Sequence, residues 1–563
     1  MININNILNK TTVSAFICKI MLILSVVSIP SCSKDVLDKV PLDRFSDAAV
    51  WQDEALISAF VLGTYRSMPT GFRMTYSFAY LRCLGAFTDE AVFSLVAWDE
   101  LFNAGEVTPM SNLPDLAFWE LYYSTIGKCN IFLDKIQTSV IDAALKTRMT
   151  GEIKVLRAFA YFRLISFYGG VPLIKKPLTL EDDLYQPRNS YDECMAFIIT
   201  ELDEAAALLP LTYATAERGR ITKGAALAVK SRALLYAASP LNNPGNDMNK
   251  WQKAADAAKA VIDLGVYSLY SNYKDLFLQA AAYNSEIIWA RPYNNLVDFE
   301  LVVIERFLYP PASNGRAVVN PIHNIVADYE TLNGKLPKDD PTYNPQNPYV
   351  NRDPRFYATI LYDGATFKGR QIETFLPKGI DSEESTWVGF SPTGARPGYY
   401  LRKFMDESIT NPTNQNTGST PWIFFRYAEM LLNYAEANYY LGDAAKCREY
   451  INKVRSRLGV VMPVVTESGD PLLKRLQNER RIELAFEEHR FFDVRRWKIA
   501  PVVLNINAKK MLIVKDPVTG IKTFSVVDLL PARAFFDKNY LLPIPQTEIN
   551  KNANPLFTQN PGY

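Results

Sequence analysis

The chain has 563 residues, of which 48% are hydrophobic and 21% charged, with a formal net charge of +1. That composition is ordinary for a globular protein, and the near-neutral balance excludes the strong basic field of a nucleic-acid binder. Two histidines, His323 and His489, leave little for zinc ligation or general-base chemistry at neutral pH.

Residues 1–31 have the form of a secretory signal, with positive charge at Lys10 and Lys19 and an apolar run over 20–29. That run is too short to span a bilayer. It ends Ile29-Pro30-Ser31-Cys32, which suits a bacterial lipoprotein with Cys32 as the lipid-modified residue, although Pro30 departs from the usual pattern. Ordinary cleavage near Ser31, leaving Cys32 as a free thiol, is the alternative. The several acyl chains of the bacterial modification would anchor stably where one would not. Cys18 leaves with the signal, and no two of the six cysteines have CxxC or metal-site spacing. Cys83, Cys129, Cys194 and Cys447 read as small buried hydrophobes.

Residues 32–47 read as a polar tether, and Asp47 is placed to cap a helix over about 51–67. From 69 to 113 helical periodicity is lost and aromatics accumulate, among them Phe72, Tyr76, Phe78, Tyr80, Phe87, Phe93, Trp98 and Phe102. Helical patterns follow over 116–136, over 151–168, over 191–209, over 223–238 and over 250–264. In the second of these, Ile153, Leu156, Ala160, Leu164 and Phe167 form one apolar row and Phe159, Phe162 and Ile165 another, so this helix must be covered on more than one side. Gly169 and Gly170 can end it in left-handed geometry, and Pro172 keeps it from resuming.

Between 291 and 421 Asn, Pro, Gly and aromatic residues are dense and no long helical pattern survives. Irregular stretches beyond about 12–15 residues in a compact protein are usually functional or disordered, and the aromatic content argues against disorder. Residues 426–458 then give two alanine-rich helices joined at Gly442-Asp443, spaced like one tetratricopeptide repeat. The segment 479–497 alternates acids and bases, with Glu487/Arg490 and Asp493/Arg496 one turn apart, so those residues are expected to pair and lock the segment to the scaffold.

The wording of several stretches says more than their periodicity. LRAFAYFRL closing on YGGVPLI, RGRITKGAALAVKSRALLYAASP, NRDPRFYATIL, GYYLRKF, ERRIELAFEEHRFFDVRRW and the final YLLPIPQTEINKNANPLFTQNPGY resemble, in order, segments of the SusD/RagB family of surface lipoproteins. The resemblance covers nearly all the chain after Cys32. It implies a mainly α fold: a tetratricopeptide-like scaffold of helical pairs with large loop-rich inserts carrying short β-strands. On this reading 1–31 is the signal, 32–47 the tether and 48–563 one SusD-like domain. Its scaffold runs over 48–68, over 114–290 and over 421–563, with inserts at about 69–113 and 291–420.

The resemblance also implies a non-catalytic, outer-membrane protein that captures a glycan and passes it to a SusC-like TonB-dependent transporter, acting as its lid. An oligopeptide, as in the RagB-like branch, is the alternative ligand. No cofactor is implied beyond a structural calcium ion carried by some relatives, for which Asp339 and Asp340 are the nearest acids, without the spacing of a dedicated calcium loop. Neither GxSxG, HExxH nor a phosphate loop occurs, and adjacent carboxylates do not by themselves make a glycosidase pair. Sugar rings stack an apolar face on aromatic side chains, and polar groups meet their edges. The candidates for such contacts are Trp98, Tyr76 and Arg82 in the first insert and Tyr293, Asn294, Tyr309 and Trp387 in the second.

Overall fold

The computed structural model describes residues 47–71, 73–74, 81–94, 100–111, 118–293, 304–385, 396–412, 418–529 and 533–563. The chain divides into two units, Met1–Ile57 and Ser58–Tyr563. A single turn, Asp47–Val50, lies in the first, and the long helix α1 (Glu54–Arg66) runs across the division. Asp53, not Asp47, caps that helix: its Oδ1 accepts from Ala55 N at 2.8 Å and Leu56 N at 3.0 Å. An oxygen directly before the first helical turn reaches the free N–H groups there, which Asp47, inside its own turn, cannot.

The second unit is mainly helical. Its scaffold is α2 (Phe118–Lys135), α3 (Ala143–Tyr168), α4 (Tyr191–Leu208), α5 (Lys223–Ala238) and α6 (Met248–Ile262). It continues with α7 (Tyr427–Tyr440), α8 (Ala444–Arg455), α9 (Gly469–Glu483) and α10 (His489–Arg496). Each helix from α2 to α8 packs on the next, and α6 meets α7 although the whole second insert separates them in sequence. This is the helical-pair arrangement of a tetratricopeptide-like scaffold. Alanines at the crossings allow close approach; Trp251 of α6 lies flat on Tyr440 of α7 with ring centroids 3.9 Å apart.

Helix α3 is buried on both of its apolar rows. It starts on Asp142, whose side chain accepts from Leu145 N, and ends at Gly169 with φ +74°. Gly170 is needed for space rather than for dihedral freedom: a Cβ there would sit 2.0 Å from the Asn189 carbonyl oxygen. Buried Arg157 ties three helices together, donating to Glu201 of α4 at 2.6 and 2.8 Å and to Asn130 of α2 at 2.8 Å.

The inserts hold short strands. Strand β1 (Ala91–Phe93) of the first insert pairs antiparallel with β3 (Val319–Pro321) of the second, so the two inserts share a ladder. Strand β2 (Ile287–Arg291) carries the chain out of the scaffold and β4 (Trp422–Arg426) brings it back, antiparallel, with Trp422 opposite Arg291. Phe159 of α3 packs edge-on against Trp289, Phe424 and Phe425 of this pair at 5.2–5.7 Å. A longer hairpin, β5 (Ala508–Lys515) with β6 (Lys522–Leu529), follows α10. Phe87, Phe93 and Phe102 of the first insert are core residues, clustered with one another and with Phe491.

The segment 479–497 differs from its expected form. It is not one helix: α9 ends at Glu483 and α10 starts at His489, and Phe486 and Glu488 between them take positive φ. Asp493 pairs with Arg496 at 2.8 Å, but Glu487 and Arg490 do not pair, because the break separates them. Glu487 accepts from Arg426 and Lys403 at 2.7 Å, and Arg490 donates to Asp89 of the first insert. These contacts join a buried ion cluster. Arg426 reaches Glu286, Glu483 and Glu487; Arg457 reaches Glu286 and Glu483; Arg355 reaches Asp353, Glu479 and Glu483; Arg455 and Arg475 close on Glu330. With Lys403, these six cations face six carboxylates, and Arg475 meets a seventh, Glu467, at the cluster's edge, so every cation is opposed, as buried charge requires. Burial lowers the Lys403 ammonium to about 8 against the opposing pull of Glu487. Among the described residues no helix is long and apolar enough to cross a membrane.

Candidate functional site

A pocket of about 220 Å³ opens where the second insert leaves and rejoins the scaffold, with Pro292, just after β2, and Pro421, just before β4, in its wall. Three segments build it: the α4–α5 connection around Tyr213 to Thr222, the irregular stretch after α6 around Val266 to Asn284, and strand β2.

The α4–α5 connection is held from beneath by Glu152, a fully buried carboxylate of α3. Glu152 accepts from Arg220 Nη1 and from the Tyr65 hydroxyl, each at 3.0 Å. Tyr65 in turn accepts from Ile221 N at 2.9 Å, and the Tyr213 hydroxyl donates to the Ile221 carbonyl at 3.0 Å. Burial raises the Glu152 carboxyl, with Arg220 and Arg148 opposing. Gly219 has φ +97°, and a Cβ there would lie 3.3 Å from the Pro292 ring, so the loop backbone runs against the root of the insert.

The opposite wall is aromatic. Tyr267 sits over the start of α5, where Gly224 makes room for it: a Cβ at 224 would fall 2.1 Å from the Tyr267 hydroxyl oxygen. Tyr283 is half exposed, and the Arg218 guanidinium carbon stands 5.7 Å from its ring centroid. The Asn284 side chain is turned to its own backbone, donating to the Ala281 carbonyl and accepting from Glu286 N, both at 2.8 Å. Ile288, Trp289 and Ala290 make a buried apolar floor. The result is an exposed aromatic face beside a cationic edge, over a dry base. Such a combination binds a flat, partly apolar ring and orients it through a few polar contacts. Burial pushes the Tyr213 and Tyr267 hydroxyls above their ordinary range, so both remain neutral hydrogen-bonding groups at physiological pH.

A larger groove, about 550 Å³, runs along α4, α5 and α6 between Met195, Ile199, Leu227 and Leu234, with lysines and aspartates at its rim. No aromatic ring lines it, so it offers no stacking face.

The residues singled out from sequence fare differently. Tyr293 follows the pocket-lining Pro292 but is buried: its hydroxyl meets Thr70 Oγ1 at 2.6 Å, and Arg291 lies 4.9 Å over its ring. Tyr309 is fully buried, a correction to its reading as a stacking face. Its hydroxyl donates to the Asp406 and Ile409 carbonyls, Lys368 covers its ring at 5.0 Å and Phe367 meets it edge-on at 5.1 Å. Arg82 lies in the two-residue strand Leu81–Arg82, opposite Arg73, with its side chain outside the described residues. Tyr76, Trp98, Asn294, Trp387 and Cys32 lie outside the described residues.

The acids nearest a calcium reading do not suit one. Asp340 accepts from Thr331 Oγ1, Asn333 Nδ2, and the Thr342 N and Oγ1, while Asp339 pairs with Lys338. Protein donors thus take the oxygens an ion would need. Among the described residues no three His, Cys, Asp or Glu side chains are grouped to hold a metal ion. Asp89, one of the adjacent carboxylates, is bound by Arg481 and Arg490. Burial opposes its charge, but the two arginines hold it well below the usual carboxylate range. Its neighbour Glu90, buried and without an ion pair of that kind, is raised to about 7.

Tyr283, Tyr267 and Arg218 were not legible as site residues, because they fall in stretches that read as scaffold connections. A tyrosine in each of the turn-rich breaks LTYATAERGR and AAYNSE is the signal that marks Arg218 and Tyr283, and nothing comparable marks Tyr267.

Comparison with known proteins agrees with this architecture. A family model described as "SusD family" matches residues 278–563, and one described as "Starch-binding associating with outer membrane" matches residues 76–235. A SusD-like protein of Bacteroides fragilis, known from a crystal structure, is 31% identical with a TM-score of 0.79, over 93% of this chain and 100% of that one. A second crystal structure from that species, named a SusD-like carbohydrate binding protein, is 28% identical with a TM-score of 0.77, over 90% of this chain and all of that one. SusD-like protein P2 of Formosa agariphila is 24% identical over 97% of this chain and 99% of its own length. With more than half of its length matched by the first of these models, the chain belongs to the SusD family.

Proposed function

We propose that this protein captures a glycan at the outer-membrane surface and delivers it to a SusC-like TonB-dependent transporter, over which it acts as a lid. The observation that carries the reading is the pocket at the root of the second insert, where the exposed Tyr283 ring, Tyr267 and Arg218 surround an apolar floor. A sugar ring lays its C–H face on the aromatic, and its substituents meet the polar edge. Family membership, the outer-membrane description attached to residues 76–235 and the carbohydrate-binding name of the 28% identical relative support the same reading. Cys32 would carry the lipid anchor, and Trp98, Tyr76 and Trp387 would contribute further ligand contacts. Recognition needs no covalent chemistry, so no catalytic residues are assigned.

The test is affinity gel electrophoresis of the purified protein against a panel of polysaccharides, with Tyr283→Ala and Trp98→Ala alongside. Retardation by a polysaccharide that weakens in Tyr283→Ala supports capture at this pocket. Retardation that only Trp98→Ala abolishes moves the site to the first insert. Absence of retardation, together with binding of oligopeptides, would replace the glycan by a peptide.

A further inference from the structure

We infer that the pocket takes an acidic glycan, through a sugar residue that carries a carboxylate or a sulfate ester. This rests on the glycan reading above and names the class of sugar. The charged residues that line the pocket are Arg218 and Arg220, and no aspartate or glutamate lines it. Arg220 is already paired, with Glu152 Oε2 at 3.0 Å and Glu217 Oε1 at 3.4 Å. Glu217, the acid nearest in sequence, is also held by Arg148. Arg218 has no ion-pair partner among the described residues, and its contact is with the Tyr283 ring. One cation is therefore left over at the mouth of the pocket.

Hydrogen-bond bookkeeping points the same way. A neutral sugar presents hydroxyl groups that donate as well as accept, and its sites supply acceptors, commonly carboxylates or side-chain amides. Here the one side-chain amide, Asn284, is used by its own backbone on both its oxygen and its nitrogen. The strongest group left over is a pure donor, a guanidinium fork whose geometry matches a carboxylate or sulfate. In a uronic acid the carboxylate projects from the edge of the ring. The ring's C–H face can then lie on Tyr283 while its anionic group reaches Arg218. The pocket volume of about 220 Å³ fits one such ring, below the range of roughly 300–1,000 Å³ typical of sites for drug-sized ligands.

The test is affinity electrophoresis of the full protein in gels holding polygalacturonic acid, a sulfated galactan or a neutral galactan, with Arg218→Gln, Arg218→Lys and Tyr283→Ala in parallel. The inference predicts that an acidic polymer retards the wild type more than the neutral one does. Arg218→Gln should weaken that retardation by about ten- to hundredfold, the usual worth of a charge-assisted contact, and Arg218→Lys should fall between. The carboxylated and sulfated gels distinguish the two sources of charge. If the neutral galactan binds as well as the acidic polymers, with dependence on Tyr283 but not on Arg218, the acidic inference falls and glycan capture stands. If none of the three polymers retards the wild type, the acidic inference falls, and the polysaccharide panel above decides glycan capture.

Discussion

Glu483→Gln tests the buried ion cluster. Glu483 Oε1 accepts from Arg426 and from Arg457 at 2.6 Å, and its Oε2 accepts from Arg355 at 2.9 Å. These side chains are all at most 1% exposed. Glutamine keeps the volume but leaves three arginines one negative charge short in a cluster buried away from bulk solvent. Removing one partner of a buried pair costs about 3–5 kcal/mol, and the glutamine oxygen can still accept one bond, so a loss near 3 kcal/mol is expected. The assay is urea unfolding of the purified protein at pH 7, comparing wild type, Glu483→Gln, Arg457→Met and the double variant. The double variant should lose less than the sum of the singles, by about 1–3 kcal/mol, because it restores the balance. Burial opposes the Glu483 charge, but Arg457, Arg426 and Arg355 hold its carboxyl well below its ordinary 4.5. Its contribution is therefore complete above pH 4.5 and is lost as pH falls further, so the gap between wild type and Glu483→Gln narrows in acid. A loss under about 1 kcal/mol, or strict additivity, would refute the view that charge balance holds this cluster together.

Glu90 predicts the opposite sign. Its folded value, about 7, lies above its ordinary 4.5, so stability falls as pH rises between those values, and Glu90→Gln should gain up to ~3 kcal/mol over wild type above pH 7 and nothing below pH 4.5; denaturation curves across that window check it. Gly170→Ala would drive a methyl group to 2.0 Å from the Asn189 carbonyl, a backbone contact that cannot rotate away, so a loss of ~3 kcal/mol is expected in thermal or urea melts. Tyr283→Ala, at a half-exposed ring, should change stability by less than about 0.5 kcal/mol, which keeps its binding result free of folding effects.

Much of the scaffold was legible because its helices carry strong periodic rows and clear stops, as at Ile153, Leu156 and Phe159 before Gly169. The sharing of a ladder by Ala91–Phe93 and Val319–Pro321 was not, since pairing between strands of three residues leaves no local signal. The charges of 479–497 were readable as structural, but not their partners. A backbone break at Phe486 to Glu488 sends Glu487 to Arg426 and Arg490 to Asp89, and sequence spacing cannot show such a break. The site was the least legible part. Aromatic density points equally to core and to surface, and Tyr309 proved to be core, whereas Tyr283 stands exposed in a short break between regular elements. What separates them is how neighbours cover each ring, a long-range property set by the second insert and the α4–α5 connection.

The most direct test of glycan capture at the root of the second insert is a crystal structure of the protein soaked with an oligosaccharide of whichever polymer retards it most in the gels. The account predicts a sugar ring lying on Tyr283, between Arg218 and Pro292. A ring bound elsewhere, with the Tyr283 pocket empty, would contradict it.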